Sequence, residues 1–273
     1  DEIERVRPAL EQALCTEAER LNATGYPAAL LAWQVHLRAM VNAAYYRGAE
    51  DERTARLYHA MGEHFRQIGD YTRANLCLQS TVKIRRQLWG EEHELTARSL
   101  SDLGVIFWTQ QDWAKARICY ESALVVQERK LGEHADTAMT LNHLGTLHQY
   151  QGDVAGARPY HTRALAIRRK VFGEEHTLIA ESLCNLAYLE YSTYHYANAR
   201  VYLEQALAVQ RKARATTSTT PSFNRFHSGS SAGSKLTVTR CTRASFGSLA
   251  RDGCSRAKLR SISGQKVGSG HFV

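Results

Sequence analysis

Leu141-Asn-His-Leu-Gly145-Thr-Leu-His-Gln-Tyr150-Gln-Gly-Asp153-Val-Ala-Gly-Ala157-Arg-Pro-Tyr-His161-Thr-Arg-Ala164 decides the fold, because the chain writes this phrase four times. Gly145 has counterparts at Gly62, Gly104 and Ala187, in steps of 42, 41 and 42 residues. Ala157 keeps those steps with Ala74, Ala116 and Ala199, and Asp153 keeps them with Asp70, Asp112 and His195. A second phrase separates the units, as Gly-Glu-Glu-His at Gly90–His93 and Gly173–His176 and as Gly-Glu-His at Gly132–His134. Three markers in one register at this period mean stacked structural repeats, in which each unit buries its apolar face against its neighbours.

Each unit divides into two helical halves. In the third, Leu141, Leu144 and Leu147, then Ala157, Tyr160, Ala164 and Ile167, recur every three or four residues, which places each set on one helix face. A polar turn joins the halves, as Gln67-Ile-Gly69-Asp70, Gln110-Gln-Asp112 and Gln151-Gly-Asp153. Glycine permits the left-handed turn that ends one helix, and aspartate caps the next. The small residues at the glycine and alanine markers have one joint explanation. They lie where two antiparallel helices come closest, and a larger side chain would force them apart.

This grammar resembles the tetratricopeptide repeat. The likeness covers residues 54–212 and carries the Leu-x-x-Leu-Gly opening as Leu100-Ser-Asp-Leu-Gly104, Leu141-Asn-His-Leu-Gly145 and, with alanine, Leu183-Cys-Asn-Leu-Ala187. The second-helix signature appears as Ala116-x-x-x-Tyr120-x-x-Ala123 and Ala157-x-x-x-His161-x-x-Ala164. The usual repeat is about 34 residues long, so this variety has a longer second helix and an added link. That variety is similar to kinesin light chain, and equally to the repeats that follow the ATPase module of some signalling NTPases. The usual turn proline is absent, and the link glycine stands in its place as the helix stop. The resemblance implies an all-α, right-handed superhelical solenoid of antiparallel helix pairs.

The expected organisation has three parts. Residues 1–53 form a degenerate helix pair, since Gly25-Tyr-Pro-Ala-Ala29 echoes Asp70-Tyr-Thr-Arg-Ala74. Four repeats follow at 54–95, 96–136, 137–178 and 179–212. From 213 to 273 the sequence is rich in Ser, Thr, Gly and Arg, lacks Trp and Tyr, and keeps no apolar period, which predicts a disordered tail. The start at Asp1 reads as a fragment or processed product, and the break of the pattern after Lys212 as an alternative exon or a shifted frame.

The net charge of +8 is concentrated in the tail, which holds ten basic residues and one acidic residue. The rest of the chain is therefore close to neutral, which argues against nucleic-acid binding by the folded part. Six cysteines without short paired spacing describe neither a disulfide framework nor a zinc site. The longest apolar run, Ala28–Trp33, is too short to span a bilayer, and no signal peptide is visible. A cytoplasmic protein is expected.

No catalytic constellation appears, so no enzyme and no cofactor are expected. Gly229-Ser-Ser-Ala-Gly233 fits a nucleophile-elbow string but lies in the Ser/Gly-rich tail without the strand and helix that would expose its serine. His93, His134 and His176 recur once per unit and would lie roughly 8–10 Å apart by helix packing. Ligands to one zinc must each stand about 2 Å from the ion, so a link-ordering role near a helix end is expected instead of a metal site. The acidic residues beside them are expected to be solvated near the next helix start.

The tetratricopeptide resemblance implies that the first helix of each pair lines a concave peptide-binding groove. The first-helix residues that packing does not use are then Arg56, His59, Glu63 and Arg66, followed by Arg98, Ser101, Val105 and Trp108, then Met139, Asn142, Thr146, Gln149 and Tyr150, then Glu181, Cys184, Tyr188 and Tyr191. In the family, the counterpart of Asn142 often holds the backbone of an extended peptide. Guanidinium groups toward one end and aromatics toward the other predict an acidic–aromatic protein or peptide partner. The function expected is that of a non-catalytic scaffold or adaptor like kinesin light chain, with the sensory arm of a larger NTPase as the alternative.

Overall fold

The computed structural model describes residues 2–25 and 27–219. The chain separates into two units, residues 1–234 and 235–273, and all the described residues belong to the first. Among them are ten α-helices and no strand: α1 (Glu2–Ala23), α2 (Pro27–Tyr46), α3 (Glu52–Ile68), α4 (Tyr71–Trp89), α5 (Glu94–Thr109), α6 (Trp113–Lys130), α7 (Ala135–Tyr150), α8 (Val154–Phe172), α9 (Thr177–Ser192) and α10 (Tyr196–Thr219). The eight from α3 onward are the four pairs that the period demands. Each pair packs closely within itself, and the second helix of each packs on the first helix of the next. No helix among the described residues is long and apolar enough to cross a membrane.

Side-chain caps set the helix starts. Asp70, Asp112 and Asp153 accept the backbone N–H groups of Arg73, Lys115 and Gly156 at 3.1, 3.2 and 2.8 Å, which starts α4, α6 and α8. The link histidines start the first helices. Nδ1 of His93, His134 and His176 accepts the N–H of Leu95, Asp136 and Leu178, each at 3.2 Å. Asp51 does the same for α3 through Thr54 N–H at 2.8 Å. The recurring histidine is thus an N-cap, which needs a neutral ring with an acceptor nitrogen.

Link glycines end the second helices. Gly90 and Gly173 follow α4 and α8 with φ of 82° and 76°, where an L side chain would clash. Nothing comparable follows Lys212. The next helix breaker is Pro221, and α10 continues to Thr219, seven residues beyond the boundary drawn from the repeat pattern. The disordered tail expected from composition lies, from residue 220, outside the described residues.

The link glutamates do more than face solvent. Glu50, Glu92, Glu133 and Glu175 meet Lys83, Arg129, Lys170 and Lys212 at 2.9, 2.7, 2.7 and 3.3 Å, so each link is tied to the far end of the second helix that follows it. Glu91 and Glu174 turn back to Arg86 and Arg169. These pairs are exposed and contribute little energy, but they fix the path of the link.

The glycine markers sit at the closest contact within each pair. A Cβ on Gly104 would fall 2.6 Å from the ring of Tyr120, on Gly145 2.8 Å from the ring of His161, and on Gly62 2.9 Å from Cγ of Leu78. Those three partners occupy one repeat position, and all are buried. Ala74, Ala116 and Ala157 are buried beside them. Gly104→Ala should therefore destabilise the protein by about 1–3 kcal/mol through overpacking, offset by up to about 1 kcal/mol of helix propensity. Urea denaturation measures the difference, and an unchanged or raised midpoint would place the joint elsewhere.

The turn inside each pair takes one left-handed residue. Gly69 and Gly152 supply it in two units, with φ of 84° and 81°, but Gln111 and Tyr194 supply it in the others, with φ of 63° and 64°. An L side chain there costs about 1–2 kcal/mol, more than the roughly 0.5–1 kcal/mol of entropy that glycine loses. Gln111→Gly should accordingly raise the thermal midpoint by a few degrees. A lowered midpoint would mean that contacts of the Gln111 side chain outweigh the strain.

Candidate functional site

The first helices form a connected inner layer, since α5 touches α7 and α7 touches α9. Polar side chains bridge them in sequence. His59 Nε2 lies 3.0 Å from Asp102 Oδ2, and the Ser101 and Thr140 hydroxyls lie 3.0 Å apart. Asn142 Nδ2 donates to Glu181 Oε1 at 3.1 Å, and its Oδ1 accepts from Asn185 Nδ2 at 2.8 Å. The buried guanidinium of Arg168 completes this end of the ladder, donating to Ser182 Oγ at 2.7 Å and to Leu178 O at 3.1 Å.

The ladder consumes several residues that the sequence assigns to the groove. Ser101 and Asn142 are 1% and 5% exposed, so their polar atoms hold repeats together and do not line an open surface. His59 is engaged by Asp102. Arg56 is clamped through Nε and Nη2 by Glu19 of α1, at 2.9 and 2.8 Å, and Nη1 reaches Gln12. Arg66 is clamped by Glu63, one turn away, at 2.7–3.1 Å. The Glu63 charge raises the Arg66 pKa further above its ordinary value.

Arg98 differs. It is half-buried and makes no ion pair with a described residue, though its charge acts on Asp102. Burial opposes the Asp102 carboxylate, but the His59 hydrogen bond and the charges of His59, Arg98 and Arg66 outweigh it and hold its pKa below the usual value. Tyr150, Tyr188 and Tyr191 are open to solvent at 61, 39 and 40%. Trp108 is half-buried and meets Tyr150 edge-on at 5.4 Å. Trp113 packs against both, at 6.3 and 6.1 Å.

Trp113 is missing from the sequence-based set. Its signal was present, because the residue after the turn marker is aromatic in three units, as Tyr71, Trp113 and Tyr196. Tyr196 likewise meets Tyr191 at 5.4 Å. Asp102 and Asn185 are the other omissions. Each partners a candidate one repeat away, a relation that a single helix face cannot reveal.

The pairs α3–α6 and α7–α10 correspond to a known sequence profile. The profile of the tetratricopeptide repeat matches residues 53–129 and 136–212. The chain belongs to the tetratricopeptide-repeat family. Comparison with curated protein sequences gives no match. Among solved structures, BtubC (BKLC) from P. vanneervenii is similar at 22% identity over 84% of this chain and 97% of its own, with a TM-score of 0.56. A Podosopora anserina protein, described by the words "putative kinesin light chain nearly identical TPR-like repeats", is similar at 20% identity. There the coverage is 78% of this chain and 99% of its own, with a TM-score of 0.60. At these identities the likeness concerns the fold.

Behind the open surface of this tetratricopeptide-repeat protein lie imidazoles held neutral. Burial first, then the Arg168 charge, lowers the pKa of His143 and of His161 to about 4. Neither nitrogen of His161 has a hydrogen-bond partner among the described residues. Burial also lowers His64 and, with Arg168, the capping His176. The unfolded chain takes up protons near pH 6.5 and the folded chain only nearer 4. Stability is therefore full above about pH 6.5 and lost as the pH falls toward 4. His161→Leu, the residue of the equivalent position 78, should remove about one proton from the uptake on unfolding. Urea midpoints measured across that pH range provide the check, and an unchanged pH slope in the variant would refute the assignment.

Proposed function

We propose that this protein is an interaction scaffold that holds an extended peptide segment of a partner on its first-helix surface, as a cargo adaptor like kinesin light chain would, without catalysing a reaction. The observation that carries this reading is the set of exposed aromatics on neighbouring first helices, Tyr150 on α7 and Tyr188 and Tyr191 on α9. Large, stiff rings open to solvent are anchors of the kind that dominate peptide recognition. An acidic–aromatic segment fits them best. With Arg56 and Arg66 already matched by Glu19 and Glu63, the cationic share of recognition falls mainly to Arg98. The thiols of Cys15, Cys77 and Cys119, none of them in a disulfide with a described residue, suit a reducing, cytoplasmic setting.

Fluorescence anisotropy against a panel of acidic–aromatic peptides tests the reading. Tyr188→Ala and Tyr191→Ala should each weaken the best binder by about 1–2 kcal/mol. Arg98→Glu should remove the preference for acidic over neutral peptides, whereas Lys130→Glu at the exposed end of α6 should leave it intact. Equal losses from Arg98→Glu and Lys130→Glu would point to non-specific charge and sink the groove reading.

A further inference from the structure

Among the twenty residues of α2, Arg38 is the one formal charge at neutral pH. The equally charge-poor α7 is sheltered between α5 and α9, but α2 is not. Its inner side follows Leu30, Leu37 and Ala44, each at most 1% exposed, while on the outer side Leu31, Val35, Tyr45 and Tyr46 are 51, 72, 71 and 85% exposed. Exposed apolar surface of this extent, so poor in charge, marks an interface.

The outer side also has an internal symmetry. Ala28, Ala32, Val35, Ala39, Asn42 and Tyr46 are all exposed and follow one another in steps of four, three, four, three and four, which makes one straight stripe. Arg38 stands about a quarter turn off it. The stripe is symmetric in its spacing about Leu37, so that position 28 mirrors 46, 32 mirrors 42, and 35 mirrors 39. Turned end for end, it sets a larger side chain against an alanine at every step: Tyr46 on Ala28, Asn42 on Ala32, and Val35 on Ala39. We propose that a second copy of this chain covers this face, with α2 antiparallel to its counterpart about a two-fold axis near Leu37.

Asn42 is the one polar residue of the stripe, and it serves the register. Opposite Ala32, near an end of the contact, its amide keeps access to water. A slip of one turn would press it toward the valines at the centre and leave it unsatisfied, as a single polar residue does in a coiled-coil seam. Two further considerations favour a second copy. A face without carboxylates offers a foreign partner no charge to select, whereas its own copy supplies the matching shape, and a two-fold contact closes on itself. The area is also sufficient. Tyr46 at 85% exposure presents roughly 150–200 Å2, while Tyr45, about 100° round the helix, only borders the contact. With Leu31, Val35, Asn42 and the alanines, two apposed faces reach about 1,000 Å2, where specific interfaces begin. A contact of this size lies at the small end of specific interfaces, so the pairing is expected to depend on concentration.

Sedimentation equilibrium of the full chain tests this. The wild-type mass should rise from one chain to two between low and high micromolar concentration. Added salt should leave the dimer in place, because the α2 charges beside the contact, the two Arg38 side chains, repel each other. Val35→Glu combined with Tyr46→Glu should stay monomeric throughout, with unchanged helicity and melt. A mixture of Val35→Cys and Ala39→Cys chains, oxidised, should give severalfold more disulfide-linked dimer than either chain alone. A wild-type chain that stays monomeric would overturn the proposal, including one that binds lipid vesicles through α2 instead. So would a dimer that survives the double substitution, or a mixture that cross-links no better than its components.

Discussion

The closest contact inside each helix pair is the constraint from which the rest of this structure follows. Gly62, Gly104 and Gly145 leave room on the first helix, and Leu78, Tyr120 and His161 fill it from the second. The separation of the two helices is fixed there, and with it the direction in which the next first helix can lie. Because one joint recurs at one position, the angle between neighbours recurs as well, and a solenoid results. The filling residue itself is free to change, from aliphatic to phenol to imidazole, provided that it is large and buried.

That freedom has a chemical cost in the third repeat. His161 fills the joint with two nitrogens that no described residue satisfies. A neutral imidazole tolerates this and a charged one does not. His143, on the first helix of the same repeat, packs its ring 5.1 Å from that of Tyr120 in the preceding joint. The acid sensitivity of the repeats thus has its origin in the packing core.

The period, the helix pairs, the aspartate caps and the close-packed glycines were legible because each repeats on a single helix or turn. What was not legible shares a different property. Ser101, His59 and Asn142 look like groove residues when one helix face is considered alone, yet Thr140, Asp102 and Asn185 on the next repeat occupy them. Arg56 is likewise matched by Glu19 on α1, which precedes the repeats and follows no period. The left-handed Gln111 and Tyr194 were hidden because neither residue type favours that conformation. The end of α10 was misjudged because composition marks where the pattern stops, whereas a helix stops at a glycine or a proline.

The ties between link glutamates and the following second helices change where one repeat ends and the next begins. A stretch from Glu92 to Lys130 contains its own glutamate–arginine tie, histidine cap, aspartate cap and glycine–tyrosine joint. Cutting the chain after the histidine instead would separate the cap and the tie from the helices they serve. The natural module for excision, duplication or transplantation therefore opens on the acidic link and closes on the basic end of its second helix, out of phase with the unit that the small-residue markers delimit.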